Sequence, residues 1–210
     1  MDRKKNQTSR MVIDDFSGTG LVSALGTRWR GTSDRVMGGV SRAVVDLTVV
    51  DGVHCLRLSG DVRLDNRGGF IQAALDLATT GQTLDASAYA GLRLRVRGNA
   101  ERYSVHLRTA DGVRAWQSYR ATFIARPEWE VVDLPFETFT PHRLDAALDV
   151  TRLRRLGLVA IGRAFQAELL VAEVAFYRSE AEGGALVRHP SLQDHTGRGG
   201  RGMSTGVRFR

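Results

Sequence analysis

Between residues 40 and 178 the pattern of apolar and polar side chains is mostly one of period two. In the segment GLRLRVRG, Leu92, Leu94 and Val96 fall on one face and Arg93, Arg95 and Arg97 on the other. In YSVHLR, Tyr103, Val105 and Leu107 oppose Ser104, His106 and Arg108. Successive strand side chains point to opposite faces, so this alternation predicts antiparallel strands with one face on a core. The same reading predicts strands over 40–50, 53–59, 69–75, 118–125, 129–134, 155–161 and 167–178. Asp51-Gly52, Gly68-Gly69, Asp111-Gly112 and Pro127 punctuate them as turn signals. Residues 20–26 predict one short helical turn, and 143–154 a short helix or a loop. Nothing long and amphipathic lies between the strands, which excludes a doubly wound α/β fold. Short strands recurring about every 8–12 residues predict an all-β fold, a jelly-roll β-sandwich.

The length of 210 residues is ample for one sizeable core. The alternation predicts a single domain over 11–182, with a basic tail at 1–10 and a Gly/Arg-rich tail at 183–210. The formal net charge is +7. It sits in the tails: residues 11–182 hold 21 arginines and 21 acids, and the only lysines are Lys4 and Lys5. A neutral body argues against a specific nucleic-acid partner, although the tails suit peripheral attraction to an anionic membrane. GRGGRG in the tail is a short Arg-Gly-Gly segment, read as solubilising rather than RNA-binding. No run approaches the roughly 20 apolar residues of a membrane span, and the start lacks an apolar signal region. The single cysteine, Cys55, has no internal disulfide partner. Together these predict a cytoplasmic protein.

Candidate chemistry is sparse. RVMGGVS and NRGGF carry Gly-Gly without the spacing or helix of a phosphate loop. They read either as positive-φ turns or as a bare backbone face open to a partner. On the second reading, valine at Gly38 and Gly39 would abolish binding and spare the fold. His54 and Cys55 point to opposite faces of a strand and make no catalytic pair. No catalytic residue and no cofactor is predicted. Asp14, Asp15 and Glu173 are the candidate oxygen ligands for a structural calcium ion, against a reading as solvated carboxylates. Trp116 and Tyr119 are the candidate stacking platform for a sugar or peptide, against a reading as core and edge packing.

A set of motifs then carries a family likeness. Trp29, DRVMGGVS at 34–41 and LDNRGGFIQ at 64–72 resemble the complex I intermediate-associated protein 30 family. The likeness continues through YAGLRLRVRGNAERYSVHLRT at 89–109 and the strand with Tyr119 and Phe123. It extends over the W-x-x-V-x-L-P-F-x-x-F-x-P pattern from Trp129 to Pro141 and LRRLGLVAIG at 153–162. The resemblance implies a galactose-binding-domain-like jelly roll, similar to family-11 carbohydrate-binding modules. It implies a chaperone-like role in assembling respiratory complex I, NADH:ubiquinone oxidoreductase, with unassembled subunits as protein clients. The alternative is a carbohydrate-binding module. The signature positions carried over are Trp29, Asp34, Met37, Gly38, Gly39, Ser41, Asn66, Gly69, Phe70 and Trp129.

Overall fold

The computed structural model describes residues 10–114 and 116–179. Its strands are β1 (Arg10–Asp14), β2 (Arg30–Ser33), β3 (Val44–Val50), β4 (Val53–Val62), β5 (Phe70–Asp76) and β6 (Gly91–Gly98). They continue with β7 (Glu101–Thr109), β8 (Ser118–Ala125), β9 (Glu130–Pro135), β10 (Thr140–His142), β11 (Leu153–Ile161) and β12 (Phe165–Tyr177). All pairings are antiparallel, and they form two sheets. The first runs β3-β4-β12-β6-β9, with β1 pairing the end of β12 that β4 does not reach. The second runs β10-β8-β7-β11-β5-β2. The architecture is the all-β sandwich that the alternation predicts.

The period-two pattern sets which side chains fill the core. Leu92, Leu94, Val96, Val171, Val174 and Phe176 of the first sheet meet Ile71, Leu75, Tyr103, Val105, Leu107 and Leu158 of the second. Each large apolar side chain so removed from water contributes roughly 1.5–3 kcal/mol before entropy is charged against it. Asp51 and Gly52 close the β3–β4 hairpin with both φ angles positive, 52° and 76°. That backbone matches the right-handed twist of the flanking strands, and Asp-Gly tolerates it best.

Three short strands escape the alternation. β1 is an edge segment, β2 reads RGTS with no apolar residue, and β10 is TPH. Residues 40–43 are irregular, so β3 starts at Val44 rather than at 40. Residues 20–26 form a turn closed by the Val22–Arg28 bridge, not a helix. In 143–154 the only helical piece is a 3-10 turn over Val150–Arg152, capped by the Asp149 side chain. Of the predicted tails, 1–10 and 183–210, all but Arg10, which opens β1, lie outside the described residues.

The outer faces of the two sheets differ in charge. On the first sheet, arginines meet acids at the same register: Arg57 pairs Asp46 at 2.6 Å and Arg93 pairs Asp133 at 2.6 Å. Arg97 reaches Asp51 and Arg10 reaches Glu173, each at 2.6 Å. A small apolar cluster of Cys55, Leu170 and Ala172 lies among them beneath Trp129. On the second sheet the outward row Asp76, Arg155, Arg108 sets two arginines side by side.

Candidate functional site

The two glycine-bearing motifs fold onto one carboxylate. Ser33 ends β2 and its hydroxyl accepts the Arg35 N–H, starting a 3-10 turn over Asp34–Met37. Gly38 ends that turn at φ 88°, where only glycine is unstrained. Asp34 is wholly buried. Its carboxylate accepts the Ser41 N–H at 2.9 Å, the Ser41 hydroxyl at 2.5 Å, and the N–H groups of Gly69 at 2.5 Å and Phe70 at 3.4 Å. Burial alone would raise its pKa. The hydrogen bonds from Ser41, Gly69 and Phe70 outweigh that penalty and hold Asp34 below the ordinary carboxylate range.

The neighbours complete a knot. The Ser41 hydroxyl also accepts the Arg63 N–H at 2.9 Å, and the Asn66 amide donates to the Gly38 carbonyl at 3.2 Å. A Cβ on Gly39 or on Gly68 would collide with the Asp34 carboxylate. These glycines are therefore bare because a buried side chain occupies their space. That corrects the expectation that valine at Gly38 and Gly39 would spare the fold. Trp29 is buried as well, donating its indole N–H to Asp14 at 2.8 Å and packing on Phe16.

Beside the exposed Arg35, Arg63 and Asp65, the knot also shows apolar side chains to solvent. Val36 is 74% exposed, Met37 63% and Leu64 51%, all on the two tied loops. Of the signature positions, the structure brings together Asp34, Gly38, Gly39, Ser41, Asn66, Gly69 and Phe70, with Met37 at the surface beside them. Trp29 joins the core, and Trp129 lies in the separate cluster on the first sheet, with the Arg95 guanidinium 5.4 Å from its ring centre. The sequence reading missed Val36 and Leu64. Their signal was an apolar side chain inside a glycine-rich loop, where no strand period applies.

The other candidates separate. Tyr119 is 1% exposed, faces the core and donates its hydroxyl to the Ala147 carbonyl at 3.0 Å. It forms no platform, because its position in the β8 alternation is an inward one. Trp116 is 49% exposed, with the Arg114 guanidinium 5.8 Å from its ring centre. The calcium candidates do not converge either. Asp14 is taken by Trp29 and Phe16, Asp15 by Ser17, and Glu173 by Arg10. Among the described residues no group of three or more His, Cys, Asp or Glu side chains could hold a metal ion. No helix among them is long and apolar enough to cross a membrane.

Solved structures share the fold at low identity. A family 11 carbohydrate-binding module of the cellulosomal cellulase Lic26A-Cel5E of Clostridium thermocellum aligns with a TM-score of 0.61 and 14% identity, over 81% of this chain and 95% of that one. The same family's module in complex with a β-1,3-1,4-mixed-linked tetrasaccharide aligns at 0.61 and 14%, over 81% and 96%. A family 30 module of the cellulase Cel9D-Cel44B from that organism aligns at 0.58 and 13%, over 81% and 99%. Comparison with curated proteins returns no match. The profile described as complex I intermediate-associated protein 30 matches residues 21–171, which takes in the Asp34 knot, strands β2 to β11 and the first half of β12. This chain belongs to the complex I intermediate-associated protein 30 family.

Proposed function

We propose that the protein is a non-catalytic binding factor that holds unassembled subunits of NADH:ubiquinone oxidoreductase during assembly of complex I. The observation that carries this reading is the Asp34 knot. The family's signature residues form a rigid anchor for two loops, and those loops present Val36, Met37 and Leu64 to solvent. Apolar side chains on a pre-ordered scaffold are what a protein-docking surface needs, since little ordering entropy remains to be lost. Asp34 itself is committed to the scaffold, and its oxygens meet backbone and serine donors rather than a nucleophile. The family description, which names complex I intermediates, supplies the partner class. On this reading the protein works in the cytoplasm, and its basic ends add attraction to the membrane surface near the client.

Affinity purification from solubilised host membranes tests it, comparing the wild-type protein with a Val36→Ser/Met37→Ser double variant. NADH dehydrogenase subunits are expected with the wild-type protein and absent with the variant. Equal recovery would remove the tip as the dock, and recovery with neither would detach the protein from complex I.

A second reading, carbohydrate binding, draws on exposed Trp116. Titration with mixed-linkage β-glucan checks it: saturable binding lost in Trp116→Ala would support it, and a flat titration would end it.

A further inference from the structure

The end of the second sheet away from the knot holds a cavity of about 270 Å³. It is bounded by the loop 79–82 and by Asp76, Arg108, Arg154 and Arg155. Phe70, beside the knot, and Asp76 are the two ends of β5, so roughly 20 Å separates the two regions. The cavity combines three observations that ordinary sheet surfaces avoid.

The first is a like-charge cross-strand pair. Arg155 of β11 lies directly opposite Arg108 of β7. Like charges in register are destabilising, whereas opposite charges are the rule on the first sheet of this same protein. The second is the shortage of acid. Among the described residues Asp76 is the only acidic side chain lining the cavity, and both its oxygens are engaged, one by Arg155 and the other by Arg30. Among the described residues Arg108 and Arg154 form no ion pair; Arg108 donates one Nη2 hydrogen bond to the Arg114 carbonyl at 3.2 Å, and its buried Nε has no hydrogen-bond partner. The third is a bulge. Between Leu153 and Arg155 the register with β7 shifts, leaving Arg154 as the extra residue at the cavity wall. Bulges re-aim side chains beside binding sites and are otherwise a cost to the ladder.

Three guanidiniums, those of Arg108, Arg154 and Arg155, thus line a cavity whose one carboxylate, Asp76, is also bound by Arg30. Planar guanidiniums match the oxygens of phosphate and carboxylate groups. A monocarboxylate would leave most of this charge uncompensated, while a phosphoryl dianion removes two units of it. The cavity exceeds a bare phosphate and borders the range of small-ligand sites. Thr79 and Thr80 on the facing loop offer hydroxyl donors.

We infer that Arg108, Arg154 and Arg155 form a binding pocket for a phosphoryl group, carried by a small organic phosphate or present as free phosphate. The pocket is independent of the docking tip and of the complex I reading. It also gives a purpose to positive charge that the neutral composition of the body conceals.

Calorimetric titration of the full-length protein at low salt tests this, with glucose 6-phosphate, inorganic phosphate, glucose and citrate as probes. Amide NMR locates the site. The expected result is saturable binding of a phosphate probe, none of glucose, and shifted amides at 78–82 and at Arg108. Arg154→Gln, at an exposed position, and Arg108→Gln should each weaken binding at least tenfold. Tighter binding of glucose 6-phosphate assigns an organic phosphate, and tighter binding of the inorganic ion assigns free phosphate. Arg108→Gln should raise the Tm of the unliganded protein, because it removes the repulsion between Arg108 and the cross-strand Arg155. A purely structural arginine would lower it. No binding, shifts confined to the basic ends, citrate binding as tightly as phosphate, or unchanged affinity in both variants would each overturn the pocket.

Discussion

The Asp34 carboxylate accepts the N–H of Gly69 at 2.5 Å, joining residues 35 positions apart. Among the described residues the carboxylate has no cationic partner and is bound by N–H and O–H donors. Removing its charge should therefore leave several buried donors poorly matched. Asp34→Asn should cost on the order of 3 kcal/mol of folding free energy, and Ser41→Ala about 1–2 kcal/mol. Asn66→Ala loses an exposed bond to Gly38 and puts alanine at φ 55°, where asparagine is better tolerated, and should cost about 1 kcal/mol. Urea denaturation of the three variants checks the order, and a mild Asp34→Asn would show that the knot is not the anchor.

The two glycines of the first loop should respond differently to alanine. At Gly38 a Cβ meets open space, so only the positive φ is at stake, about 1–2 kcal/mol. At Gly39 the added carbon strikes the Asp34 carboxylate and the knot must open. Gly39→Ala should be the more destabilising, which thermal melts can read. The reverse order would mean that Asp34 yields easily.

Acid should weaken the fold in two stages. His106 lies on the outer face of the second sheet, where burial, and then the charges of Arg120 and His142, push its pKa down to about 3. Between the unfolded value near 6.5 and that folded value, the unfolded chain holds the extra proton, so stability falls as pH drops through this window. The total is at most about 5 kcal/mol. Asp34 adds a second loss below the ordinary carboxylate pKa, because its folded value is depressed and its contribution is present only above that range. Urea midpoints at several pH values should decline from near neutrality downward. His106→Gln should flatten the upper stage, and a wild-type midpoint constant down to pH 4 would contradict the assignment.

Tyr119 and Trp116 should separate by stability. Tyr119→Ala empties a core position and should cost about 3–5 kcal/mol, while Trp116→Ala should stay within roughly 0.5 kcal/mol. Equal effects in chemical denaturation would place both rings in one environment.

The strands with clean alternation, β6 and β7 above all, were legible because one face is apolar and the other arginine-rich. The Asp51-Gly52 turn was legible because its chemistry is local. β2 was not, since a four-residue polar strand becomes a strand only by pairing with β5. The knot was half legible. Its glycines stood out, but a carboxylate reads as a surface group until its distant donors are seen, and Asp34 finds them 7 and 35 positions away. The arginine cavity could not be read at all. Arg108 and Arg155 become neighbours only through the register of β7 against β11, and a neutral sum of charges hides where they fall.

Cys55 gives the first sheet a built-in clock. Its thiol is wholly buried under the Trp129 cluster and bonds to the Thr48 carbonyl at 3.6 Å, and burial raises its pKa further. A reagent that attacks thiolates must wait until β3 and β4 part from each other or the indole lifts away. The rate at which this single thiol is labelled in native buffer therefore measures how often that sheet opens, without any introduced probe.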